Sequence, residues 1–389
     1  MSVSAASLRE QIESEIRERG PMPFSRYMDI CLYDPVQGYY SRNAEQFGKA
    51  GDFYTSSDVH AVFGRLMARQ FEEIWRALDG PPHLEIVELG PGRGLFARDV
   101  LDWSKKKFPD FFAALTIILQ ESSPALRRKL EENLRDHVSS GTVKIKSAVR
   151  VERPTLTPAT ADGAVIPRIV FANEFFDALP VEILGAQGKL HIACDHDRLC
   201  ELWLQPSPSE LEFLDRYGVH PENTERIEVP IIAQNTMRQT ARELDHGIIV
   251  AIDYGYTRNQ QLTGLHRGTL MTYRHHAAGT DPYQAPGEQD ITSHVNFTAL
   301  AAACQDSGMK CEKLLTQSQF LMGIGQSDEF AVVFEDCRLP QEKAKVALQL
   351  KHLIAPEGMG ETFKVLLASK RITPEKIGSL GGLAFAADS

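Results

Sequence analysis

Residues 87–94 read Val-Glu-Leu-Gly-Pro-Gly-Arg-Gly, with an apolar run before them and a helix-forming run after. Glycines at such a junction let the backbone approach a ligand closely, because no Cβ intrudes. The N–H groups at the start of the following helix suit an anionic or carboxylate-bearing ligand. The spacing of Gly90, Gly92 and Gly94 is GxGxG. Dinucleotide sites use GxGxxG, and here Leu95 stands where their third glycine would fall. A nucleotide-dependent oxidoreductase is therefore disfavoured. Carboxylates accompany the loop. Glu88 precedes Gly90 by two residues, and Glu121 ends a second apolar run, followed by Ser122. A carboxylate there can accept two hydrogen bonds from neighbouring hydroxyls. Asn173, Glu174 and Asp177 follow another apolar run, and Asp253 ends a further one. Carboxylates in a site can orient a cation, localise its charge and help remove a proton.

Histidine supplies the other candidate base. His275, His276 and His294 lie in polar stretches late in the chain, and His294 is the best placed of them for work near neutral pH. Tyr39 and Tyr40 are candidates for a substrate channel or for packing. His191, Cys194, His196 and Cys200 match no zinc spacing and fall in a hairpin-like stretch, where alternate residues face opposite sides. No metal is expected.

The elements that must position these residues are short apolar strands alternating with helices. Strands are expected at 83–89, 115–120, 143–145, 169–172 and 248–252. Helices are expected at about 94–107 and from Pro124 onward. Such alternation implies a doubly wound, mostly parallel α/β sheet with both faces covered. Ligands then bind beyond the carboxyl ends of the strands, and Glu88, Glu121, Asn173-Glu174 and Asp253 are expected along that one edge. Residues 1–80 read as an N-terminal helical and lid region, with one helix ending at Gly20-Pro21 and another over 58–78. Residues 81–180 and 248–389 form the core. Residues 181–247 form an inserted β-rich subdomain on the substrate side, with Gly188 as a turn candidate. A long polar loop is expected after 260, then a helix at 297–307, a strand near 309–315, and a helix and strand within 340–369.

The 42 Lys and Arg residues against 52 Asp and Glu give a net charge of −10. That argues against general affinity for nucleic acid or anionic membrane. Six cysteines without a CxxC pair fit free thiols in a reducing compartment. The N-terminal stretch has no apolar signal core and carries acids. No stretch is long and apolar enough to span a bilayer. The expected location is cytoplasmic.

The glycine loop with its preceding acid resembles the first motif of class I methyltransferases. The resemblance extends along the chain. GPMPFSRYMDICLYDPVQGYY (20–40), GDFYTSSDVHAVFG (51–64), IVELGPGRG (86–94), ANEFFDALPVE (172–182), IDYGY (252–256), PGEQDITSHVNF (286–297) and GMGETFKVL (358–366) are similar, in order, to segments of the MidA family. Animal members of that family include a mitochondrial complex I assembly factor that is a protein arginine methyltransferase. The resemblance implies the fold, S-adenosylmethionine as cofactor and methyl transfer. It implies that Glu88 orients the amino end of the cofactor and that the glycines lie against it. It also implies that Glu121 holds the ribose, with Ser122 beside it, and that Asp52, Phe53, Thr55 and Ser56 form a lid segment. One departure is visible. The family tends to carry an Asp near the end of the third strand, beside the adenine, where this chain has Ser147.

Methyl transfer from a sulfonium is an in-line displacement, so alignment and desolvation are the main tasks of the enzyme. A guanidinium nucleophile is delocalised and charged at neutral pH. Glu174 and Asp177 are the residues expected to bind such a cation, with Asn173 shaping the methyl-transfer pocket. Three functions remain open. One is protein arginine N-methylation, with a respiratory-complex subunit as a candidate substrate. Another is O-methylation of a small hydroxylated molecule using a His base. The third is an assembly factor that binds the cofactor without turnover. The partner is accordingly a protein with an exposed Arg or a small hydroxylated molecule, and the chain is a candidate homodimer.

Overall fold

The six residues of Leu84–Leu89 are all buried, as a strand covered on both faces requires. Leu84 and Ile86 face one layer, and Val87 and Leu89 face the other. The protein is seen here as a computed structural model that describes residues 6–42, 61–147, 160–161, 164–196, 198–274 and 277–386.

Leu84–Leu89 lies near the middle of a large sheet. Its strands run in the order Lys310–Cys311, Phe363–Lys370, Gly247–Tyr256, Arg168–Asn173, Leu84–Leu89, Leu115–Glu121 and Val143–Ser147. The last five are mutually parallel, and Phe363–Lys370 runs antiparallel to Gly247–Tyr256. The chain winds outward from Leu84–Leu89 in one direction and then returns to add strands on the other side. That makes the junction with Arg168–Asn173 the switch point where such sheets bind ligands. Helices Ala61–Ala77, Leu95–Lys107, Gln317–Gln326 and Pro340–Ile354 cover one face, and Ile231–Glu243 and Phe297–Gln305 cover the other. This is the doubly wound α/β fold expected from the strand pattern.

The smaller elements depart from expectation in instructive ways. Residues 309–315 hold two short strands, Lys310–Cys311 and Leu315–Thr316. The second leads into Gln317–Gln326, whose start is fixed by a capping box between Thr316 and Gln319. The polar stretch after 260 contains a three-stranded sheet built from Met271–Arg274, Ala277–Gly279 and Asp290–Thr292. Gly188 starts a strand and pairs with Gly185, so Ala186 and Gln187 make the hairpin turn.

The partition between residues 1–80 and 181–247 is also not the one the core follows. Met22–Pro23 pairs with His191 and Ile192, which makes it a strand of the inserted sheet. Leu8, Ile12, Phe24 and Tyr27 share a core with Ile183, Leu190 and Ile192. Ala61–Ala77 instead packs on the main sheet. The N-terminal helices and the inserted strands thus form one layer beside the carboxyl edge.

Candidate active site

Strand register brings the predicted residues together. Asn173 lies opposite Ile252, Glu121 lies opposite Ser147, and the Gly90 N–H donates to the Gln120 carbonyl at 3.1 Å. Side chains alternate along a strand. Glu88, Glu121 and Asn173 therefore share the face of Ile86, Leu119 and Phe171, on the Leu95–Lys107 side. Asp253 alternates with Ala251 and Ile249, so it points to the opposite face. It is not a fourth member of the row.

The glycine loop separates two functions. Gly92 has φ +54°, and a Cβ there would meet nothing within 4 Å among the described residues. Gly94 has φ +73°, and its Cβ would lie 2.6 Å from Leu130 Cδ2 and 2.8 Å from Leu134 Cδ1. Gly92 keeps space open at the sheet edge, whereas Gly94 lets the helix Pro124–Asn133 and the turn after it pack close. Glu88 is buried, and its Oε2 has no hydrogen-bond partner among the described residues. Burial alone pushes its carboxyl up to about 8. Glu121 Oε1 accepts the Ser123 N–H at 2.8 Å. Burial raises Glu121 to about 7, opposed by backbone N–H groups, including that of Gly92, and by the Arg127 charge. The Arg127 guanidinium donates to the carbonyls of Glu121 and Ser122 at 2.9 and 2.7 Å, fixing this corner. Ser122 is half-buried, and Ser147 is exposed at its strand end.

Asn173–Asp177 forms a tight acidic turn. Glu174 sits at φ +51°, a strained conformation for a side-chain-bearing residue and one that clusters at functional sites. Its N–H donates to the Ile252 carbonyl at 3.0 Å, and its Oε1 accepts from Asn173 Nδ2 at 3.2 Å. Asp253 holds the turn from beneath. Its Oδ2 accepts the N–H groups of Phe176 and Asp177 at 3.0 and 3.2 Å, and its Oδ1 accepts that of Tyr254 at 2.9 Å. The Tyr254 hydroxyl in turn donates to Asp177 Oδ2. Asp177 Oδ1 is buried without a hydrogen-bond partner among the described residues. Burial raises both Asp177 and Asp253, and the negative charges of Asp177 and Glu174 raise Asp253 further. Neither shift has a cation among its causes.

His294 lies elsewhere in the network. Its Nδ1 is 3.0 Å from His266 Nδ1, and its ring meets the Tyr254 ring edge-on at 5.3 Å. Burial, with the His266 charge, depresses it to about 4, so it is neutral at pH 7 and weakly basic. Tyr39 is buried, and the Tyr40 hydroxyl donates to Asp290 Oδ1 at 3.1 Å. Sequence reasoning passed over Asp290, Tyr33 and Tyr254. Asp290 stood inside the matched PGEQDITSHVNF and Tyr254 inside IDYGY, and those segments were the available signal. Asp52, Phe53, Thr55, Ser56, His275 and His276 lie outside the described residues. Among the described residues no cluster of three or more His, Cys, Asp or Glu could hold a metal ion. No described helix is long and apolar enough to cross a membrane.

A seven-strand order with one antiparallel member, a glycine loop at the switch point and an acid before it define a class I methyltransferase. Residues 66–315 match the family described as "Putative S-adenosyl-L-methionine-dependent methyltransferase". The chain belongs to that family, and S-adenosylmethionine is its cofactor. A Burkholderia thailandensis superfamily member solved with S-adenosyl-homocysteine superimposes with a TM-score of 0.78 at 26% identity. The match covers 97% of this chain and 95% of that one. Curated relatives include the mitochondrial protein arginine methyltransferase NDUFAF7 homolog of Drosophila melanogaster, 28% identical over 92% of this chain and 84% of its own. The Homo sapiens NDUFAF7, also named a mitochondrial protein arginine methyltransferase, is 26% identical over 92% and 82%. These mitochondrial relatives overturn the expectation of a cytoplasmic protein.

The residues present fit the cofactor. Among the described residues, the space left at Gly92 and the buried Glu88 Oε2 without a hydrogen-bond partner offer a backbone cradle and an acceptor for an ammonium group.

Proposed function

We propose that this chain is a protein arginine N-methyltransferase. The observation that carries the reading is the buried Asp177 Oδ1, without a hydrogen-bond partner among the described residues, on a strained acidic turn at the cofactor edge. Arginine methyltransferases among the curated relatives support it. In this reading Gly90, Gly92 and Gly94 shape the cofactor cradle, Glu88 takes the amino end, and Glu121 with Ser122 takes the ribose side. The cofactor supplies an electrophilic methyl group on a sulfonium. Glu174 and Asp177 bind the guanidinium and localise its charge, which frees a nitrogen lone pair for attack. Asp177, held by Tyr254, is the group that takes the proton released on methylation. Asn173 orients Glu174 and borders the methyl path. His294 supports the Tyr254 ring. The N-terminal helices and the inserted sheet form the substrate-side unit.

The test is incubation of purified protein with radiolabelled cofactor and a mitochondrial extract. Label is expected in a protein band and in methylarginine after hydrolysis. Glu174→Gln and Asp177→Asn should abolish labelling while calorimetric titration with S-adenosylmethionine is unchanged. Full turnover in either variant would remove that residue from the assignment, and label confined to an organic-soluble fraction would replace the arginine reading.

A further inference from the structure

We propose that Asp290, held by Tyr40, is a second carboxylate of the substrate-cation site, set on the wall opposite Asp177. The inference rests on the arginine reading and names residues that reading did not use.

Two chains of contacts tie Asp290 to the acidic turn. Tyr40 donates its hydroxyl to Asp290 Oδ1 at 3.1 Å, and its ring lies 5.4 Å from that of Tyr33. The Tyr33 hydroxyl donates at 3.0 Å to the carbonyl of Ala178, the residue after Asp177. On the other side, the Ser293 N–H donates to the Asp177 carbonyl at 3.0 Å, which joins the Asp290–Thr292 strand to the same turn. Tyr273 is the cross-strand partner of Asp290. The charges of Asp177 and Asp290 both act on Tyr33, Tyr40 and Tyr273. Tyr40 and Tyr273 thus flank Asp290, and Tyr33 links Tyr40 to the turn that carries Asp177.

Asp177 and Asp290 are each 5% exposed. Tyr33, Tyr40 and Tyr273 are half-buried, yet burial is the main cause of their raised phenol pKa values. Tyr40 also borders the cofactor corner, because Ser123 Oγ donates to the Tyr40 carbonyl at 3.2 Å and Ser123 N–H holds Glu121. Asp177 Oδ1, without a hydrogen-bond partner among the described residues, is the second mark of a missing ligand.

The chemistry selects a guanidinium. Its planar fork carries five N–H donors, enough to reach carboxylates on two walls, and its faces stack on aromatic rings. An ammonium is a compact point charge with three donors.

The test uses protein saturated with S-adenosylhomocysteine and three blocked pentapeptides of glycine with a central arginine, citrulline or lysine. Binding is read by calorimetry or NMR titration. Wild type should bind the arginine peptide most tightly. Asp290→Asn keeps the shape and an acceptor for the Tyr40 hydroxyl but loses the charge. It should weaken arginine-peptide binding about tenfold or more and leave citrulline binding unchanged. Tyr40→Phe should weaken it in the same direction by less. Affinity for S-adenosylhomocysteine should not move in either variant. Unchanged arginine preference in Asp290→Asn would overturn the assignment and leave the arginine reading standing. Equal binding of all three peptides by wild type would overturn both. Loss of S-adenosylhomocysteine binding in Asp290→Asn would place the residue in the cofactor site or the core and would also overturn the proposal.

Discussion

The Asp253 carboxylate accepts the backbone N–H of Asp177 at 3.2 Å from the far side of the sheet. It takes the N–H of Phe176 with the same oxygen and that of Tyr254 with the other. One buried acid thus fixes both the turn that carries Asp177 and the tyrosine that bonds to the Asp177 side chain. Asp253→Ala leaves buried N–H groups unsatisfied and should cost about 2–4 kcal/mol of stability. Turnover should fall by about 100-fold or more through misplacement of the turn. Cofactor affinity should hold, because Asp253 faces away from the glycine loop. Thermal melting, calorimetry and methyl-transfer rates together check this, and wild-type turnover in the variant would refute it.

Glu88 should make cofactor binding release a proton. Its carboxyl is raised from 4.5 to about 8 in the folded protein. Between those values the folded state holds more protons than the unfolded one, so the stability of the ligand-free protein falls as pH rises through that window. A positively charged ligand favours the ionised carboxylate, so affinity for S-adenosylmethionine should increase as pH rises toward 8. Glu121, raised to about 7, acts in the same direction. Titrations at pH 7 in buffers of different ionisation enthalpy should reveal the released proton. Glu88→Gln should reduce that release and flatten the pH dependence of stability. Heats that do not depend on the buffer would sink the idea.

Gly92 and Gly94 should respond to substitution in opposite ways. Gly92→Val meets no atom of the described residues within 4 Å of its Cβ. It should fold with a backbone penalty of about 1–2 kcal/mol and lose cofactor binding. Gly94→Ala drives a methyl into Leu130 and Leu134. It should lose about 2–4 kcal/mol from overpacking and positive φ together, with a smaller effect on affinity. Denaturant melts paired with cofactor titrations distinguish the two, and tight cofactor binding by Gly92→Val would contradict the division.

Glu85 and Arg168 form a buried ion pair at 2.7 Å between two central strands. Arg168→Met strands a carboxylate and should cost about 3–5 kcal/mol. Adding Glu85→Gln should recover part of that loss. Urea denaturation of the single and double variants measures the coupling, and additive losses would show that the pair is not the unit that matters.

The parallel strands were legible because each is buried on both faces and so reads as an apolar run that stops at a polar residue. Leu84–Leu89 and Leu115–Glu121 fall within a residue or so of the expected bounds. The glycine loop was legible for a local reason, since positive φ and close packing both demand Gly. The orientation of Asp253 was not, because the strand continues to Tyr256 and only its register shows which face the carboxylate takes. Tyr254–Asp177 and Tyr40–Asp290 join residues far apart in sequence. No local periodicity encodes such pairs. The helix Gln317–Gln326 was hidden behind a stretch read as one strand, although its Thr316–Gln319 capping box was written in the sequence.

The pairing of Met22–Pro23 with His191 and Ile192 has a consequence for how the protein is made. The segment that carries Tyr33 and Tyr40 leaves the ribosome well before its sheet partner, which lies about 170 residues further along the chain. At about 5–20 residues per second, the wait is on the order of ten seconds. During that time Phe24, Tyr27 and Met28, all buried in the finished protein, have no core to enter. That layer is therefore translated ahead of the strands it packs on and cannot settle until they arrive. Deleting that segment would strip the wall while leaving every strand beside the glycine loop in place.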